Sequence, residues 1–106
     1  MKEKKVEFVL ERNESCRGFL QRSLDERVNA DKVQLFTILL EIIIPEVRES
    51  DFSLSLNRHA DGIDITITHH GKAIKDNILD LVDDQVDSLR YRHLTKDHHV
   101  LILSKK

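Results

Sequence analysis

The segment "KVQLFTILLEIIIPEV", residues 32–47, constrains the fold more than any other part of the chain. Val33, Leu35, Phe36, Ile38, Leu39, Leu40, Ile42, Ile43 and Ile44 leave it almost no polar side. A helix of that kind must be covered on several sides, ordinarily by a sheet. Its β-branched run would also suit a strand. Its length, far above a mean strand of about five to six residues, predicts a helix. Pro45 predicts a bend or an end, because the ring displaces a backbone hydrogen bond.

A sheet to cover that helix is legible on either side of it. "KVEFVLER" alternates Val6, Phe8 and Leu10 with charged residues, as a strand with one buried face does. Asn13 and Ser15 are good caps for a helix carrying Cys16, Phe19, Leu20 and Leu24. "NAD" resets the chain, with Asn29 or Asp31 as the cap of the long helix. "DFSLSLNRH" and "IDITITH" alternate around an "ADG" turn and predict a hairpin. Ile74, Ile78, Leu79, Val82, Val86 and Leu89 give helical spacing through "KDNILDLVDDQVDSLR". "HHVLILSKK" closes as a strand. The expected order is β-α-α-β-β-α-β. This is an α+β two-layer sandwich, a mainly antiparallel sheet with helices on one face, forming a single domain over residues 1–106.

The 34% of charged residues are mixed in sign and sum to −2, which offers no basic face for nucleic acid. The longest apolar run is too short and too charged to span a bilayer. The opening "MKEKKVEFVLERNES" interrupts its apolar residues with acids and does not read as a signal peptide. A single cysteine, Cys16, excludes an intramolecular disulfide, and a cytoplasmic protein is the expectation.

Several local patterns occur together in the order of a known family. "TILLEIIIPEVRE" carries Glu41 on the long helix, with Pro45 four residues on. "THHGKA" follows a strand and holds His69, Gly71 and Ala73. "VDSLRYRHLTKDHHVLILSKK" ends the chain. Together these resemble the histidine-kinase-like ATPase fold (GHKL) shared by histidine kinases, gyrase and MutL, and most nearly its bacterial anti-sigma-factor serine-kinase branch. The resemblance places Glu41 at the general-base position and Pro45 where the family has a magnesium-binding Asn. His69 stands for the Asp that reads adenine, Gly71 is kept, and Ala73 replaces the second Gly of Asp-x-Gly-x-Gly. The Gly-rich lid is reduced to a short connection without glycine. Proline offers no oxygen to magnesium, and a phosphate cradle needs glycine for close backbone approach. The resemblance therefore implies a lid-less regulatory module that binds proteins without catalysis or cofactor. Its implied partners are a sigma factor, an anti-anti-sigma domain or a second copy of the chain. The alternative it carries is an active ATP-binding anti-sigma serine kinase using Glu41 with divergent nucleotide ligands.

The histidines support a third reading, a metal or ligand sensor. If the strands ending in "THH" and beginning in "HHV" pair antiparallel, His69, His70, His98 and His99 gather at one sheet end. Neighbours on a strand point to opposite faces, so one of each pair faces a given site. The pairs lack the spacing of a structural zinc site, and no metal is expected. Cys16 reads as a small half-buried residue. Asp80, Asp83, Asp84 and Asp87 read as one solvated helical face, or as a docking stripe for a basic partner.

Overall fold

A computed structural model describes residues 6–106. The chain forms β1 (Val6–Val9), α1 (Cys16–Ser23), α2 (Glu26–Val47), β2 (Phe52–His59), β3 (Gly62–His70), α3 (Asp76–Asp83), β4 (Ser88–Thr95) and β5 (His98–Lys105). Lys5, placed in the first strand from its sequence, lies outside the described residues.

Each helix starts and stops for a local reason. Ser15 caps α1 by accepting the Gly18 N–H at 3.0 Å. Asn13 instead takes a left-handed turn with φ +69°. Asp25 caps α2 through the Arg27 N–H at 3.1 Å, and Asn29 kinks the helix where "NAD" predicts a reset. Asp31 lies within the helix and does not cap it. Beyond the kink α2 continues to Val47, two residues past Pro45. Phe36, Leu39, Leu40, Ile43 and Val47 are buried, so α2 forms the centre of the core as its composition requires.

The sheet is antiparallel throughout, in the order β1-β2-β3-β5-β4. Its registers align three rungs on the face toward the helices. The first is Leu56, Ile65, Leu103 and Leu89. The second is Leu54, Ile67, Leu101 and Tyr91, and the third is Phe52, His69, His99 and His93. The opposite face carries Ser53, Ser55, Asn57, Thr66, Thr68, Val100 and Ile102, none of them buried. The expected one-sided α+β sandwich is what forms. At the β2–β3 turn, Gly62 has φ +144°, and a Cβ there would meet the Lys105 carbonyl oxygen at 2.5 Å.

One element differs from expectation. The last helix ends at Asp83, and Ser88–Thr95 is a strand, giving β-α-α-β-β-α-β-β. Val82, Val86 and Leu89 have helical spacing, but Leu89 and Tyr91 alternate with exposed Arg90 and Arg92. The Asp87 N–H already bonds the Ser104 carbonyl at 2.9 Å, so pairing with β5 captures the chain. The acidic helical face is shortened accordingly. Asp87 lies off the helix, accepting the Lys106 N–H at 2.7 Å with Lys105 Nζ 3.9 Å away.

Candidate functional site

The third rung places histidine where the other rungs place Leu and Ile. His69 is 0% exposed and His99 3% exposed, while His93, on the edge strand, is exposed. The rung thus runs from the core to the surface.

Its hydrogen bonds assign the tautomers of His99 and His93. The Gly71 carbonyl oxygen lies 2.8 Å from His99 Nε2 and can only accept, so Nε2–H donates to it. In the neutral ring, His99 Nδ1 is then a free acceptor. It lies 2.7 Å from His93 Nδ1, which donates. Tyr91 Oη accepts the Ile74 N–H at 2.9 Å and faces His69 Nε2 at 2.9 Å. The two share one hydrogen bond there, and His69 Nδ1 is a buried atom with no hydrogen-bond partner. Burial, with smaller repulsions from His99, His70 and His98, pushes the His69 pKa below its ordinary value. Burial also pushes the Tyr91 phenol up.

β3 and β5 pair antiparallel, with His69 opposite His99 and His70 opposite His98. The four histidines do gather at one sheet end, but they divide between its faces. His69 and His99 lie under the helices. His70 and His98 stack outside, their centroids 4.4 Å apart. Among the described residues no three His, Cys, Asp or Glu side chains converge as metal ligands. Cys16 is half-buried, its thiol pushed up by burial and by Glu41.

Of the positions matched to a nucleotide site, Pro45 and Gly71 share a shallow cleft of about 330 Å³ with Glu46, Glu49, Ser50, His70 and Lys72. His69 turns into the core, and its neighbour His70 lines the cleft instead. Glu41 and Ala73 are exposed outside it. A second, apolar cleft of about 210 Å³ lies between α2 and α3, lined by Leu35, Ile38, Leu39, Ile42, Leu81 and Gln85.

Tyr91 and His93 lie outside the predicted histidine cluster, although His93 is one of the six histidines of the chain. They sit in "SLRYRHL", just past the helical spacing that ends at Arg90, and their period-two alternation is the signal that marks the strand. Comparison with protein-family models, curated proteins and solved structures finds no match for this chain. Among the described residues no helix is long and apolar enough to cross a membrane.

Proposed function

We propose that this protein is a non-catalytic regulatory module that acts in the cytoplasm by binding another protein. The observation that carries this is the apolar cleft between α2 and α3. Ile38 is 48% exposed and Leu81 51% exposed, an unusual cost for large apolar side chains on neighbouring helices. On α2 the stripe Asp31, Leu35, Ile38, Ile42 and Glu46 follows the three-and-four spacing of one helical face, with an acid at each end. On α3, exposed Asp80 and Asp84 flank Leu81. An acid-rimmed apolar groove suits a basic amphipathic helix that inserts apolar anchors and sets Lys or Arg against the rim.

The resemblance to anti-sigma kinases supplies the partner class, a sigma factor or an anti-anti-sigma domain. The burial of His69 supports a role without nucleotide, since a ring bonded to Tyr91 under the helices does not face the Pro45–Gly71 cleft. The test is calorimetric titration of sigma factors and anti-anti-sigma domains from the same genome. One of them is expected to bind, with affinity that falls as salt rises and is indifferent to ATP. Ile38→Glu and Leu81→Glu are both expected to abolish binding while the folded circular-dichroism spectrum persists. Binding untouched by both substitutions would remove the cleft as the interface.

A further inference from the structure

We propose that His93 and His99 form a binding site for a divalent first-row metal ion of the imidazole-seeking kind, zinc(II) being the probe. This is independent of the partner-binding reading. The two residues are cross-strand partners on β4 and β5, and their Nδ1 atoms face one another at 2.7 Å. Metal-ligating histidines almost always give their other ring N–H to a carbonyl or carboxylate, which fixes ring and tautomer. His99 does this, donating Nε2–H to the Gly71 carbonyl at 2.8 Å. Gly71 is itself held at φ +89°, its N–H bonded to the Asp97 carbonyl at 2.8 Å. One nitrogen lone pair is therefore aimed and locked beneath the surface, and a second histidine meets it from the exposed side.

Two nitrogens on one tetrahedral zinc lie roughly 3.4 Å apart, given Zn–N bonds of about 2.0–2.1 Å. The pair must open from 2.7 Å. His99 is packed and His93 is exposed, so His93 moves; the β4 register shifts between His93 and Thr95, just where that freedom is needed. The proton balance is simple. In the neutral pair one hydrogen lies between the rings, on His93 Nδ1. As the metal enters, that proton leaves Nδ1 and one is taken up at His93 Nε2, with no net release. Among the described residues no third side chain of ligand type converges on the pair, so water completes the coordination sphere and the site is open. Imidazole donors suit zinc, copper or nickel, whereas magnesium and calcium prefer oxygen. The stacked rings of His70 and His98 are the natural control, because they lie face to face at an interplanar angle of 12°.

The experiment titrates zinc chloride into the full chain at neutral to mildly basic pH, followed by calorimetry and by nitrogen–proton correlation spectra of the histidine rings. One equivalent is expected to bind, shifting the Nδ1 resonances of His93 and His99 and converting His93 to the Nε2–H tautomer. His93→Ala, an exposed substitution, is expected to weaken binding by about tenfold or more. His70→Ala is expected to leave it unchanged, and magnesium is expected not to compete. The site is overturned if zinc fails to bind at millimolar concentration, if His93→Ala binds as wild type, or if His70→Ala removes the binding.

Discussion

Tyr91 holds more of the sheet end together than its half-exposed position implies. Its hydroxyl accepts the Ile74 N–H and occupies His69 Nε2, tying the start of the α3 connection to the central strand. Tyr91→Phe leaves both groups unsatisfied and is expected to cost about 1–3 kcal/mol in urea denaturation, with the fold retained. Two other residues give stability a pH profile. His69 is held below its ordinary value of 6.5, so the unfolded chain takes up the proton first. Its contribution is fully present above about pH 6.5 and is lost as pH falls through the lowered folded value. Glu14 is held at about 2 against an ordinary 4.5, chiefly by its hydrogen bonds from Arg22. Its contribution is present above pH 4.5 and is lost as pH falls toward 2. Equilibrium unfolding across this range is expected to show both declines. Arg22→Ala is expected to remove the more acidic one and raise the Glu14 pKa, read from its side-chain carboxyl carbon.

Among the elements, α2 carries the core and α3 mostly covers it. Leu39→Ala or Ile43→Ala is expected to cost about 2–5 kcal/mol by leaving a cavity against the sheet. Asp83→Ala, exposed at the end of α3, is expected to cost no more than about 0.5 kcal/mol. Equal losses at both places in urea titrations would overturn this division of labour. The contrast was legible from residues 32–47, where apolar density alone demanded burial. β4 was not, and the reason is chemical. Its inward residues are Leu89, Tyr91 and His93, so the alternation shows only if histidine is allowed a place in a core rung. The same difficulty hid the site. The doubled histidines marked the sheet end, but the partners that hold their rings, Tyr91 and the Gly71 carbonyl, come from register and from a turn. β4 also shows how a free edge is kept from joining another sheet, since Arg90, Arg92 and His93 would place like or polar charges opposite themselves in a self-pairing.

At the scale of the whole molecule, the helices take one face of the sheet and leave the other polar and open. Binding must therefore use the outer surface of the helical layer, the sheet edges or the open face. The Pro45–Gly71 cleft is shallow, with two acids, Glu46 and Glu49, beside one lysine, Lys72. Triphosphate carries several negative charges, and this rim does not favour it. Calorimetry with ATP and magnesium at neutral pH is expected to give no binding below millimolar concentration, a limit of about −4 kcal/mol. A micromolar constant that His69→Ala abolishes would instead restore the nucleotide reading.

The registers also divide the sheet by distance along the chain. β2 with β3, and β4 with β5, are local hairpins closed by short turns. β3 and β5 meet only after α3 and all of β4 have intervened. Closing that longer loop costs chain entropy before its contacts compensate. The four strands β2 to β5 should therefore assemble as two preformed ribbons joined along one seam, with β1 added to β2 across the still longer α1–α2 connection. Substitutions at the β2–β3 turn are expected to slow folding, giving high φ-values, while Ile67→Val and Leu101→Ala, at the seam, chiefly speed unfolding. His69 and His99 face each other across that seam, so their ring signals should be among the last to take native shifts during refolding.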